Sequence, residues 1–259
     1  MFKKFRLALG NYFVAHRFIF KHKLWIYAIV PAIINICLLS ALVFLALSVN
    51  EQIKPIVENW LTNLLPNFNT MRLATNYFIQ FVLDITLLVG YLFIYKNLIL
   101  IILSPFLAFL SEKVDSLYTG RDFPFNFKDL IKDVWRGVLL SVRNSFIELF
   151  LIVFFLLLGF VIPLLSPFTT LCIIFIESYY FGFAMMDYTN ERKRLSSKES
   201  RVYVQNNKSL ALGNGLLFYG LFIVPVVGWV IAPIYGIVAG TLTVLQNDST
   251  QAPYHKSID

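Results

Sequence analysis

The chain has 259 residues, of which 58% are hydrophobic and only 14% charged, with a mean hydropathy of +0.70. A water-soluble domain averages about 45–50% apolar and about 25% charged residues, so this composition excludes a soluble globule, and its long apolar runs without alternation exclude a β-barrel. The net charge of +7 is concentrated in a few segments, and no RNA- or DNA-binding motif accompanies it, which argues against a nucleic-acid partner.

Residues 1–23 carry Lys3, Lys4, Arg6, Arg17, Lys21 and Lys23 and no acid. Phe5, Leu9, Tyr12, Phe13, His16 and Phe20 recur at helical spacing, which predicts an interfacial amphipathic helix on the inner leaflet. Leu24 to Ser48 is an apolar run of about 25 residues, too long for a signal-peptide core of about 7–15 and long enough to span. Pro31 predicts a kink in it, and Asn35 is a polar group expected to face another helix. Residues 49–76 are more polar and lack a basic excess. A stripe from Ile53 to Leu64, bounded by Pro55 and Pro66, predicts a short surface helix.

The run 77–110 is longer than a bilayer requires and is interrupted near Lys96 and Pro105. It is either one protruding span or a span followed by a second helix. Residues 111–146 are basic, with an N-cap pattern at Asn126. The apolar segment 147–186 breaks at Pro163 and again at residues 165–167, leaving arms of roughly 18 and 19 residues, near the spanning minimum. Residues 187–210 are basic again, and Ser196 with Glu199 reads as a capping box. The last apolar segment, 211–246, is interrupted by Pro225, Gly228 and Pro233, and its first arm is about 14 residues, ~21 Å as a helix, too short to cross comfortably.

Charge sets the topology. The three basic segments, 1–23, 111–146 and 187–210, belong in the cytoplasm and the neutral loop 49–76 outside. The first two apolar runs then cross, and the last two begin and end inside as hairpins. The expected architecture is a single all-α integral membrane domain of two long transmembrane helices and two helical hairpins that are partly membrane-penetrating. Irregular backbone at a hairpin tip must be shielded by protein or face water, a device of transporters and channels.

Four stretches are similar to the CysZ-type sulfate permeases, within the wider family that includes the EI24 membrane proteins. They are "VPAIIN" (30–35), "LSPFLAFLSEKVD" (103–115), the segment from "MMDYTNERKR" (185–194) to "GNG" (213–215), and "IVPVVGWVIAPIYGIVAGTL" (223–242). The resemblance implies two long transmembrane helices with two pairs of half-penetrating helices, and an oligomer that takes up sulfate for cysteine synthesis; with the charge-derived cytoplasmic N-terminus, the expected location is the bacterial inner membrane. A membrane scaffold or assembly protein without transport is the alternative. One stretch departs from the family: where adjacent arginines typically precede the first long helix, Trp25 and Ile26 stand here.

Sulfate must exchange its water shell for fixed donors such as cationic side chains and exposed N–H groups. Arg17, Lys21 and Lys23, just before the first span, are candidate anion ligands, or else anchors to lipid headgroups. Gly213 and Gly215 either contact the anion through the backbone or allow close packing. Pro225 and Gly228 are the expected hairpin tip. Asp84 and Glu177, costly at membrane depth, are candidates for gating or for structural pairing, as is Glu112 beside Lys113 at the cytoplasmic mouth. No HExxH, Walker lysine or GxGxxG motif occurs, so neither an enzyme nor an ATP-driven mechanism is expected. The two cysteines, Cys37 and Cys172, form no metal-spaced set, so neither metal nor cofactor is expected.

Overall fold

The structure is a computed structural model that describes residues 1–64, 77, 81, 95, 98, 99, 102–121, 127–224 and 227–255. The described residues form helices and turns, with no strand among them. This is an all-α membrane protein: among the described residues, four helical segments are long and apolar enough to cross a bilayer, Leu24–Ile53, Trp135–Val161, Pro163–Arg192 and Val227–Thr250. The contacts divide into two packing units, residues 33–102 and the remainder.

The larger unit begins with α1 (Phe2–Lys21), which is followed by a 3-10 turn, Leu24–Ala28. The face that α1 buries shares only Tyr12 with the apolar stripe read from the sequence. Ala8, Asn11, Tyr12, Ala15 and Ile19 turn inward, while Phe13 and Phe20 are exposed. Small residues win because α1 lies close along two other helices, α7 (Lys208–Phe222) and α8 (Val227–His255). Gly213 of α7 approaches so near that a Cβ there would come 2.8 Å from the Ala8 Cβ.

Between these ends of the chain stand α3 (102–119), α4 (Phe127–Val161), α5 (Ser166–Arg192) and α6 (Ser197–Asn206). Along α3, Leu103, Leu107, Leu110 and Val114 form a fully buried stripe at helical spacing. The basic segment after residue 126 and the apolar run after 147 join in one unbroken helix of 35 residues, α4. Chain reversal follows at Ile162, where a 3-10 turn, Pro163–Leu165, leads into α5 with a proline in its first turn. Both arms outrun the apolar stretches that suggested them, so either could cross.

The last hairpin has unequal arms. Its first, α7, is 15 residues, ~22 Å, short of a ~30 Å hydrocarbon core. Its second, α8, is the central helix: 72% of its apolar window is buried, against 11% for α4. A helix apolar on every side is one enclosed by other helices, and here α1, α5 and α7 enclose it. Where α7 meets α5, Ser178 and Gly182 face Ala211 and Gly215. A Cβ on Gly182 would fall 1.8 Å from the Ala211 carbonyl oxygen, and one on Gly215 1.5 Å from that of Ser178. This small-xxx-small pairing lets two backbones touch, a common solution among membrane helices.

The smaller unit holds most of α2 (Ile29–Leu64). Pro31 falls in the first turn of α2, where its missing N–H is no loss and no kink is required. The helix continues through Pro55, so the separate surface helix expected there is instead the end of the first span's own helix. Asn35 is buried and its Oδ1 accepts a hydrogen bond from the Tyr95 hydroxyl. Most of the run 77–110 lies outside the described residues, and with it the question of its continuity.

Candidate functional site: a basic helix end and a buried ionic network

The residues nominated from sequence fall into three places. Arg17, Lys21 and Lys23 are all exposed at the C-terminal end of α1. Lys23 adopts a left-handed backbone (φ 56°), which ends α1 and redirects the chain into the 3-10 turn. None of the three makes an ion pair among the described residues. Trp25 and Ile26 follow, 53% and 47% exposed, where lipid or partner can cover them.

α1 runs parallel to α7 and antiparallel to α8. Near its start, Lys4 Nζ donates to Asn207 Oδ1 (2.6 Å). Further along, Asn11 Nδ2 donates to Thr243 Oγ1 (3.0 Å) and the Tyr12 hydroxyl to the Asn214 carbonyl (2.7 Å), and His16 Nδ1 meets the Tyr235 hydroxyl at 2.7 Å. Continuing that antiparallel register brings Lys21 and Lys23 level with the first turn of α8, which begins at Val227. The basic residues of the N-terminal segment thus divide between two ends of α1. From Lys4 to Arg17 the axial distance is ~20 Å.

Helix α7 ends at Phe222 and α8 begins at Val227, so the chain reverses between them. Gly228 N donates to the Val224 carbonyl (2.9 Å), and a Cβ on Gly228 would lie 1.9 Å from the Leu221 carbonyl oxygen. Pro225 lies outside the described residues, as does Asp84. Gly213 and Gly215 sit beyond the first turn of α7, so their N–H groups serve the helix's own hydrogen-bond ladder, and their surroundings are α1 and α5. Glu177 is half-buried on α5, next to the crossing residue Ser178.

The third place is a buried ionic network. Arg136 of α4 forms a fork on Asp187 of α5 (3.2 and 3.0 Å), approaches Glu191 Oε2 at 3.6 Å, and donates Nε to the Leu195 carbonyl (2.7 Å). Asp187 also accepts from the Ser200 hydroxyl of α6, and Asn190 Nδ2 donates to that same Ser200 oxygen (3.0 Å). One turn beyond Asp187 and Tyr188, Arg192 donates Nε to Asp115 of α3 (3.2 Å) and its Nη1 to Ser111. Ser111 in turn meets Thr241 of α8 at 2.7 Å. A planar guanidinium suits such sites because its five donors satisfy several acceptors at once. Glu112 lies at the edge: burial raises its carboxyl above the ordinary value, Arg192 opposes that, and the charge on Asp115 adds to it.

The loop joining α5 to α6 is shaped to supply this network. Arg194 has φ 59°, Leu195 N donates to the Asn190 carbonyl (3.2 Å) and Arg194 N to the Glu191 carbonyl (2.9 Å), a Schellman arrangement that aims the Leu195 carbonyl at Arg136. Ser196 then opens α6. Glu199 N donates to its hydroxyl (3.3 Å) and Ser196 N to Glu199 Oε2 (2.8 Å), the capping box that the sequence predicts. Arg136, Asp187, Asp115 and Arg192 were not singled out from sequence. Their signal was present, since Asp115 and Asp187 are acids placed within or beside the basic segments. Among the described residues, no three His, Cys, Asp or Glu side chains gather to hold a metal.

A profile of the family described as "EI24: Sulfate transporter CysZ/Etoposide-induced protein 2.4" matches residues 12–233. The chain belongs to the EI24 family. The match takes in α1 from Tyr12, the ionic network except Thr241, and the α7–α8 reversal. The chain is also similar to the sulfate transporter CysZ of Pseudomonas paraeruginosa, 24% identical over 219 residues, 84% of this chain and 86% of the relative. A sulfate transporter CysZ of Pseudomonas aeruginosa is 24% identical over the same shares. In this EI24 protein, then, the ionic network ties α3, α4, α5, α6 and α8 together at one end, and the exposed cations at the end of α1 lie toward the other end of α7.

Proposed function

We propose that the chain is a sulfate permease of the bacterial inner membrane, importing sulfate for cysteine synthesis without an ATPase of its own, as an oligomer with its N-terminus cytoplasmic. The observation that carries this reading is the similarity to sulfate transporters across 84% of the chain, in a multi-pass all-α protein. The geometry adds support at the basic end of α1. Inner-leaflet anchoring accounts for Lys3, Lys4 and Arg6, beside the cytoplasmic α6–α7 junction. It does not account for Arg17, Lys21 and Lys23, ~20 Å further along a helix laid against α7 and α8. There, exposed cations level with the α7–α8 reversal would raise the local sulfate concentration and replace part of its hydration. Neighbouring cations that share one anion hold it loosely enough for release.

The test is labelled-sulfate uptake into proteoliposomes. The wild-type chain is expected to exceed empty liposomes clearly, and the R17Q/K21Q/K23Q variant to fall to about a tenth or less, since the loss of charged hydrogen bonds worth ~1.4 kcal/mol is tenfold. Absence of flux from folded wild-type protein refutes transport and leaves the scaffold reading. Flux that ignores the triple substitution refutes only the assignment of these three residues.

A further inference from the structure

We propose that the chain carries a built site for the phosphate headgroup of an anionic phospholipid, in a pocket where α4, α5 and α6 meet the start of α7. The cavity is about 430 Å³. Arg143 and Asn144 of α4, Arg201 and Gln205 of α6, and Lys208 of α7 supply its polar wall, and Tyr180 stands on α5 opposite. Three cations line it and, among the described residues, no carboxylate does.

Three other cations of the same basic segments are matched: Arg136 by Asp187 and Glu191, Arg192 by Asp115, and Lys193 by Asp248. Arg143, Arg201 and Lys208 make no ion pair of this kind among the described residues. Three like charges lining one cavity repel one another, and an anion among them relieves that repulsion. A tetrahedral oxyanion satisfies guanidinium forks and an ammonium together, while the amides of Asn144 and Gln205 add neutral donors.

The surroundings favour a lipid phosphate over a free ion. Arg143 lies eight residues into the apolar segment that begins at Trp135, so the cavity sits where membrane-crossing α4 passes the basic α6, at headgroup depth. One turn deeper on α4 come exposed Ile147 and then Phe150, 71% exposed, with Phe146 beside them at 69%. Acyl chains anchored at the pocket would run along this uncovered face. Basic pockets between membrane helices on the cytoplasmic side commonly take anionic headgroups. The inference is independent of sulfate transport: a scaffold of the same fold would bind the same lipid.

Native mass spectrometry of the delipidated full chain in detergent tests it, with dioleoyl phosphatidylglycerol and dioleoyl phosphatidylcholine titrated side by side. Wild-type protein should retain the anionic lipid at least about tenfold better, and R143Q/R201Q/K208Q should reduce that preference to about twofold or less. No preference in the wild type, or an undiminished one in the variant, overturns the proposal. Inorganic phosphate is run as a third arm by thermal unfolding. Stabilisation by phosphate alone that the variant lacks, without a lipid preference, reassigns the pocket to a free oxyanion and overturns the lipid assignment. Should the triple variant fail to fold, R201Q and K208Q singly are each expected to lose about threefold of the preference, and retention of it in both counts against the site.

Discussion

Glycine positions separate sharply by what surrounds them. Gly182 and Gly215 have a neighbouring backbone where a side chain would be, whereas nothing lies within 4 Å of a Cβ built on Gly220 or Gly10. Gly215→Ala or Gly182→Ala should therefore force α5 and α7 apart, costing about 1–3 kcal/mol or more, while Gly220→Ala should be neutral or stabilising by ~0.5–1 kcal/mol, as read by thermal unfolding in detergent. At Glu199, two hydrogen bonds from Ser196 hold the carboxyl below its ordinary value of 4.5. A depressed folded value means that its contribution is fully present above pH 4.5 and is lost as the pH falls through the lower folded value. Helicity or stability of wild type and E199Q, followed from pH 6 to about pH 3, should diverge at the upper end and converge at the lower.

The ionic network joins elements, and its energetics follow from burial. Arg192 and Asp115 have side chains only 11% and 9% exposed. Removing one partner strands a buried charge, so R192M should cost about 3–5 kcal/mol, and the paired change R192M/D115L much less; a thermal-unfolding cycle over both single variants and the double distinguishes these outcomes. The hairpins invite a test of depth. Gly228 itself cannot carry a probe, because its Cβ position is occupied by the Leu221 carbonyl. Leu164 and Val227, 90% and 57% exposed, can. With Cys37 and Cys172 replaced, thiol labelling of L164C and V227C from the outside is expected at the first and not at the second, because α7 is too short to deliver Val227 to the far surface. Labelling of V227C from outside would make the last hairpin a full crossing.

At the scale of the molecule, much of the architecture was legible in the chain. Length and hydropathy revealed the membrane class, and Ser196 with Glu199 announced α6. What was not legible depends on partners distant in sequence. The apolar stripe of α1 read as a face for the inner leaflet, and hydrophobicity alone did not reveal the second face, of small residues, that packs on α7 and α8, where Ala8 must pass Gly213 at close range. Pro55 looked like a boundary because a proline usually ends a helix, yet α2 accommodates it. For the site, single-letter charge showed that residues 187–210 are basic, but not that Arg136 and Arg192 are neutralised while Arg143, Arg201 and Lys208 have no ion pair among the described residues. That distinction arises only when helices far apart in the chain are brought together.

The seating of α1 between α7 and α8 has a consequence for biosynthesis. His16 meets a residue 219 positions later, and Lys4 one 203 positions later. At roughly 5–20 residues per second, the first helix emerges about 10–40 seconds before its neighbours exist. During that interval its small-residue face has nothing to close on, and the chain must be held or shielded while the rest is made. A message cut short before residue 208 would yield a protein lacking both α7 and the central helix, the two helices along which α1 packs. Its α1 should be as open to protease as a loop, which limited proteolysis of the truncated and full-length chains would reveal.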